Sequence, residues 1–217
     1  MLAQLGAAAQ QAGRNPSDIT LVAVSKRQTD EAIAAALDAG QRVFGENRVQ
    51  EALEHWGERR TRIPDLELRL IGPLQSNKAH DAVELFDVIE TLDRDRLAVA
   101  LRKAMTATGR TPRLLVQINT GEEPQKAGIA PAELPAFLAR MSGEHGLQVE
   151  GLMCIPPAAE PAGLHFALLA KLARQNGLNQ LSMGMSADFE TAIALGASSV
   201  RIGTAFFGAR DQGSITR

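Results

Sequence analysis

The sequence alternates between short apolar runs rich in β-branched residues and longer segments with helical spacing, and this alternation limits the possible folds more than any other feature. Eight of the apolar runs have the length and composition of buried strands. The predicted strands cover residues 19–26, 43–47, 66–71, 87–92, 114–119, 149–155, 180–185 and 199–208. Because regular strand–helix alternation builds a parallel sheet with right-handed crossovers, the sequence predicts an α/β protein.

Eight strand–helix units favour a closed TIM (β/α)8 barrel over an open sheet, with residues 1–217 forming a single domain. An extra helix over residues 2–13 precedes the first strand and ends near Asn15-Pro16. A doubly wound open sheet is the alternative, although no G-x-G-x-x-G sequence follows the first strand. No linker rich in Ser, Gly or Pro divides the chain.

Composition narrows the possible partners and location. The net charge of −2 and the absence of a basic patch with interleaved aromatic residues predict no nucleic-acid partner. No apolar run is long enough to cross a membrane, and no signal peptide is recognisable at the N-terminus. The single cysteine, Cys154, suits a reducing compartment, so we expect a cytoplasmic protein.

The first predicted strand ends in a lysine, Lys26, after the apolar run that begins at Leu21. In a barrel of parallel strands, catalytic and binding groups collect at the carboxyl end of the strands. Partial burial lowers the pKa of a lysine and favours formation of a Schiff base. The alternative is a solvated lysine just beyond a strand.

The last two predicted strands end in residues suited to an anion. Ser186 is expected to be the N-cap of the following helix, where a hydroxyl and free N–H groups can bind phosphate. Gly203 permits close approach of the backbone, and Thr204 adds a hydroxyl. Arg201 shares a strand face with Gly203, so the arginine is expected inside the barrel if that face is internal. A simple helix cap and a strand salt bridge are the alternative.

Three further loops carry polar residues at the same predicted end of the barrel, in the segments 44–47, 71–78 and 119–128. No metal site is expected, because the four histidines lack ligand spacing. Cys154 lies in a predicted buried strand and is expected to be a small core residue rather than a nucleophile.

Taken together, these motifs resemble those of the pyridoxal phosphate homeostasis proteins, single-domain relatives of the barrel domain of alanine racemase. The motifs that carry the resemblance are LVAVSK (21–26), FGEN (44–47), IGPLQSNK (71–78), LSMGMS (181–186) and VRIGT (200–204). The resemblance implies that Lys26 carries pyridoxal 5'-phosphate as a Schiff base and that Asn47 lines the ring pocket. It also implies that Ser186, Gly203 and Thr204 hold the phosphate and that Arg201 faces the pyridine nitrogen. The sequence departs from the family at Arg69, commonly histidine, and at Arg48, often tyrosine.

The resemblance implies a carrier that buffers vitamin B6 cofactor and delivers it to pyridoxal-phosphate-dependent apoenzymes, acting as a monomer and without substrate turnover. The alternative is a pyridoxal-phosphate-dependent amino-acid racemase. Racemisation needs a base on each face of the substrate's α-carbon, and alanine racemase uses a tyrosine from a second domain for one of them. This chain has no tyrosine, and an arginine at the ring nitrogen opposes the protonation that makes the cofactor an electron sink. A barrel that binds another phosphorylated metabolite is a third possibility.

Overall fold

Eight parallel strands close into a barrel in chain order, as the strand–helix alternation predicted. The computed structural model describes residues 1–208. The strands are β1 Thr20–Val24, β2 Val43–Glu46, β3 Glu67–Leu70, β4 Val88–Leu92, β5 Arg113–Ile118, β6 Val149–Cys154, β7 Gln180–Ser182 and β8 Ser199–Ile202. The barrel is closed by pairing of β1 with β8, in which Leu21 is aligned with Val200.

Helices surround the barrel and connect its strands. They are α1 Leu2–Gln11, α2 Asp30–Asp38, α3 Val49–Arg62, α4 Ala79–Leu85, α5 Asp95–Thr108, α6 Leu134–Gly143, α7 Ala162–Gln175, α8 Phe189–Ala194 and α9 Thr204–Phe207. The extra N-terminal helix packs on α8, and Arg14 just beyond it donates hydrogen bonds to the carbonyl oxygens of Ile193 and Ala197. Among the described helices, none is both long and apolar enough to span a membrane.

The two faces of the strands build different layers of the protein. Outward-facing strand residues and the apolar faces of the helices form the main core, in which Phe44 packs against Trp56 with ring centroids 4.6 Å apart. The barrel interior contains a small apolar cluster of Val88, Leu115 and Met153. The interior also contains buried charged side chains, Arg69, Glu90 and Arg201, which are joined by ion pairs. Side-chain alternation along the strands therefore places Arg201 inside the barrel, as expected.

Several strands end earlier than predicted. β1 ends at Val24, so that Lys26 lies in the turn beyond the strand. β7 ends at Ser182, and β8 ends at Ile202. After β8 the N–H groups of Phe206 and Phe207 both donate to the Gly203 carbonyl oxygen, which starts the short helix α9 where continued strand was predicted.

The helices α2 and α8 begin in different ways. The Thr29 side chain accepts a hydrogen bond from the Ala32 N–H and is the N-cap of α2. The predicted cap at Ser186 is wrong, because α8 begins at Phe189. The Asp188 carboxylate accepts a hydrogen bond from the Met185 N–H at 2.6 Å, and this contact stabilises a turn over residues 186–188.

Candidate functional site

One cavity at the carboxyl end of the barrel brings together all six residues predicted to form the site. Its volume is about 340 Å³, which lies within the range of small-molecule sites. The six residues come from the ends of four strands, since Lys26 follows β1, Asn47 follows β2, and the others belong to the loop after β7 or to β8 and its loop. They are Lys26, Asn47, Ser186, Arg201, Gly203 and Thr204.

The turn that carries Lys26 is held on both sides. On one side, the Ser25 hydroxyl donates a hydrogen bond of 2.7 Å to Glu46. On the other side, Arg27 adopts a left-handed backbone conformation with φ of 57°, and its N–H donates to the Glu51 carboxylate. A left-handed conformation costs a non-glycine residue about 1–2 kcal/mol. The contact with Glu51 offsets that cost, so the backbone on either side of Lys26 is fixed.

Glu46 is the buried centre of this support. Its side chain is fully buried, and Oε1 accepts hydrogen bonds from Trp56 Nε1 at 3.0 Å as well as from Ser25. His55 Nδ1 lies 3.0 Å from the same oxygen. The possible ligand atoms of Glu46, Glu51 and His55 lie within 4.8 Å of one another. Because both carboxylates already accept hydrogen bonds from the Lys26 turn, we regard the group as structural, and the absence of a metal site stays a prediction.

Arg201 forms one wall of the cavity and cannot move freely. Its Nη1 donates to the Ser182 hydroxyl at 2.6 Å, and its Nη2 donates to the Cys154 carbonyl oxygen at 2.7 Å. Ser182 in turn donates to Glu90 Oε2 at 2.5 Å. Arg201 is 4 % exposed, so the guanidinium carries a positive charge into the cavity from a rigid, buried position.

The carboxylate of Glu90 offsets part of the positive charge of Arg69 and Arg201 inside the barrel. Its Oε1 accepts a hydrogen bond from Arg69 Nη1 at 3.3 Å, and its Oε2 lies 4.0 Å from Arg201 Nη1. Arg69 also donates to Glu67 at 2.6 Å. Arg69, one of the two departures from the family pattern, therefore belongs to a buried ion-pair network and is not among the described residues that line the cavity.

The segments after β7 and β8 form another corner of the cavity. Ser186 lies in the turn before α8, and its hydroxyl accepts a long hydrogen bond of 3.5 Å from the Ala205 N–H in the first turn of α9. The Gly203 backbone is neither helical nor extended, with φ of −106° and ψ of −87°. A Cβ atom added there would lie 3.7 Å from its nearest neighbour, in Val24. The surrounding packing would therefore leave room for a side chain, and its absence leaves that space open to a ligand.

Sequence analysis missed the apolar walls of the cavity. The additional lining residues are the apolar Val24, Ile71, Ile155, Met185 and Ala187, together with the polar Gln28. Ile71 and Ile155 directly follow strands and Val24 ends one, which is the pattern that could have identified these three. Ile155 and Met185 are each 40 % exposed, so apolar surface is available at the site.

Two other predicted features lie outside the site. The Asn119 side chain bonds within its own loop, to the backbone of Glu123, and this loop is absent from the described cavity lining. Cys154 is fully buried, and burial raises the pKa of its thiol to about 12 against the opposing effect of Arg201. The thiol therefore stays protonated and serves as a core residue, as expected.

Comparison with known proteins agrees with this architecture. Residues 4–211 match the family described as alanine racemase, N-terminal domain. The chain is 43% identical to the pyridoxal phosphate homeostasis protein of Escherichia coli strain K12, an alignment that covers 96% of this chain and 93% of the relative. The protein of the same description from Pseudomonas aeruginosa is also 43% identical, over 98% of this chain and 94% of the relative.

Comparison with solved structures finds relatives with the same barrel fold. PipY of Synechococcus elongatus, described with PLP bound, is 41% identical and superposes with a TM-score of 0.81, covering 96% of this chain and all of PipY (100%). Alanine racemase of Clostridium difficile is only 14% identical, with a TM-score of 0.72 over 98% of this chain and 57% of the racemase, and shares the fold alone. The chain therefore belongs to the pyridoxal phosphate homeostasis protein family, with the fold of the alanine racemase N-terminal domain.

Proposed function

We propose that this protein binds pyridoxal 5'-phosphate at Lys26 and serves in its intracellular homeostasis as a carrier. The observation that carries the proposal is the convergence of Lys26, Asn47, Arg201 and the Ser186–Gly203–Thr204 corner on one cavity. The description of the PipY structure with PLP bound, in a relative that the chain covers fully, supports the same ligand. We propose further that residues 1–217 form one domain that holds the complete site as a monomer in the cytoplasm.

The chemistry of the cavity fits the cofactor at both of its ends. Pyridoxal phosphate supplies an aldehyde that an amine can capture, and a dianionic phosphate that needs hydrogen-bond donors. Lys26 provides the amine from a turn that Glu46 and Glu51 hold in place. The Ser186 and Thr204 hydroxyls, with the open backbone at Gly203, provide the phosphate corner.

The remaining residues orient the ring. The Arg201 guanidinium is fixed by Ser182 and Cys154 and faces the ring nitrogen in this proposal. Asn47 forms part of the wall beside the ring. A positive charge opposite the ring nitrogen disfavours its protonation, and an unprotonated ring withdraws electrons weakly.

The same residues favour a carrier over a racemase. The chain contains no tyrosine, and Lys26 and Arg201 are the ionisable residues among the described cavity lining. Arginine stays protonated and is a poor base, so the cavity offers Lys26 as a base on one face of a bound amino acid and nothing on the other. We therefore propose delivery of the cofactor to apoenzymes, without amino-acid turnover.

The binding site is tested by reducing the loaded protein with borohydride and mapping the modified peptide by mass spectrometry. We expect a pyridoxyl adduct on Lys26, and we expect Lys26→Ala to lose both this adduct and the yellow absorbance of the loaded protein. Lys171→Ala, at an exposed position on α7, is the matched control and should keep both. An adduct that maps mainly to another lysine would show that the assignment is wrong.

A further inference from the structure

A second cavity lies beside the Lys26 cavity, and the two share Asn47 in their walls. The loops after β2, β3 and β4 form it, and its volume is about 610 Å³. We call it the basic groove, because every charged residue of its described lining is a cation. These cations are Arg48, Lys78 and Arg94.

The charge of the groove is not a consequence of a basic chain, since the net charge is −2. Arg94 is oriented by a hydrogen bond of 2.7 Å from Nη2 to the Leu74 carbonyl oxygen, and its Nη1 pairs with Asp93. Lys78 pairs with Asp81 at 3.5 Å, and both of these side chains are partly exposed. Neither aspartate is among the described groove residues, so the cations still direct positive potential into the groove.

Arg48 adds an arginine on the opposite side. It is exposed and occupies the N-cap position of α3, where it forms no side-chain cap. No ion pair or side-chain hydrogen bond joins it to another residue between 1 and 208. Two arginines and a lysine around one depression form the arrangement that proteins use for phosphate, because the guanidinium binds phosphate oxygens in a bidentate manner.

The wall between these cations is partly apolar. Pro73 is exposed in the groove, and Leu74 lies behind it. A flat ring can lie on such a wall, whereas free phosphate makes no use of it. We propose that the basic groove binds an organic phosphate monoester, with its phosphate between Arg48 and Arg94 and its ring on Pro73. The groove is separate from the Lys26 cavity and does not depend on the function proposed for it.

The test is a calorimetric titration of phenyl phosphate into borohydride-reduced, cofactor-loaded protein, in which the Lys26 cavity is filled. If no loaded protein forms, the proposed cofactor function fails, and the titration is done on the Lys26→Ala variant. We expect saturable binding at one site per chain. Because charge-assisted hydrogen bonds are lost, Arg48→Gln should weaken the affinity for phenyl phosphate about tenfold. The double variant Arg48→Gln, Arg94→Gln should weaken it further.

The matched control is Arg62→Gln, which removes one exposed arginine from the other end of α3 and should leave the affinity unchanged. Inorganic phosphate should bind clearly more weakly than phenyl phosphate. Absence of saturable binding, equal loss in Arg62→Gln, or equal affinity for inorganic phosphate would each overturn the proposal. Titrations with adenosine 5'-monophosphate and pyridoxamine 5'-phosphate then identify the source of the phosphate. Tighter binding of the first indicates a nucleotide, and tighter binding of the second indicates a B6 vitamer.

Discussion

At the scale of single residues, the proposed function depends on a lysine, Lys26, whose position is set by residues that do not line the described cavity around it. Glu46 accepts a hydrogen bond from Ser25, and Glu51 accepts one from the N–H of Arg27. Neither glutamate touches the cofactor in our proposal. They act as positioning residues, because they fix the backbone before and after Lys26.

The phosphate corner gives the first residue-scale prediction. Ser186→Ala combined with Thr204→Val removes two hydroxyls from one end of the cavity. We expect the affinity for pyridoxal phosphate to fall about tenfold or more, because hydrogen bonds to a charged group are lost, while unphosphorylated pyridoxal should bind nearly as before. Absorbance titrations with both ligands measure the difference, and an equal loss for both would show that the phosphate lies elsewhere.

Individual residues also show where sequence reasoning succeeds and where it stops. Lys26, Arg201 and Gly203 were predicted as site residues from a lysine at a strand end, an arginine on a face that could be internal and a glycine that permits close approach, and the three line one cavity. The support from Glu46 and Glu51 was missed, because their role depends on contacts with the Lys26 turn from a strand and a helix that are distant in sequence. The Ser186 cap was mispredicted because a hydrogen bond from the Met185 N–H to Asp188 shifts the helix start by a few residues.

At the scale of elements, the site depends on close contact between neighbouring loops. A Cβ atom on Gly72, after β3, would lie 2.2 Å from the carbonyl oxygen of Asn47, after β2. Glycine is therefore needed here for close approach, and this contact fixes the loop that carries Asn47. The strands themselves were predictable from composition, but this contact between loops was not.

Gly72→Ala should therefore weaken both folding and cofactor binding. We expect the free energy of unfolding to fall by roughly 2 kcal/mol from overpacking, as measured by urea denaturation, together with weaker binding of pyridoxal phosphate. Gly57→Ala is the matched control, because Gly57 lies within α3 with open space around it. That change should stabilise the protein by up to about 1 kcal/mol. If Gly72→Ala behaved like Gly57→Ala, the close contact would not exist in solution.

A second element-scale prediction concerns the junction of α3, β3 and the turn before β4. Burial by itself raises the pKa of Asp87, but hydrogen bonds from Arg60 and the Leu68 N–H outweigh it and hold the pKa below its usual value. Since the folded-state pKa is depressed, the junction contributes its full stability above the usual aspartate pKa of about 3.9. That contribution is lost as the pH falls through the lower folded-state value.

Asp87→Asn should therefore be less stable than the unmodified protein at pH 7, and the difference should shrink as the pH is lowered below about 4. Urea denaturation at a series of pH values measures this change. Asp38→Asn, at an exposed position on α2, serves as the control and should show no such trend. A stability difference for Asp87→Asn that stayed constant down to pH 2 would contradict the account.

At the scale of the whole molecule, closure of the barrel brings the ends of distant strands into one site. β1 and β8 pair directly, which places the Lys26 turn beside the loop of Gly203 and Thr204. The count of eight strand–helix units predicted this closure. The buried network of Arg69, Glu90 and Arg201 could not be predicted, because its charges come from three strands whose register the sequence does not specify.

The central claim is that the molecule holds pyridoxal phosphate at Lys26 without converting amino acids. The most direct test is chiral chromatography of L-alanine incubated with the loaded protein, with an apoenzyme of a pyridoxal-phosphate-dependent enzyme added to a parallel sample. The account predicts no inversion at enzymatic rates, while the apoenzyme regains activity. Inversion at enzymatic rates that is lost in Lys26→Ala would contradict the account and make the protein a racemase.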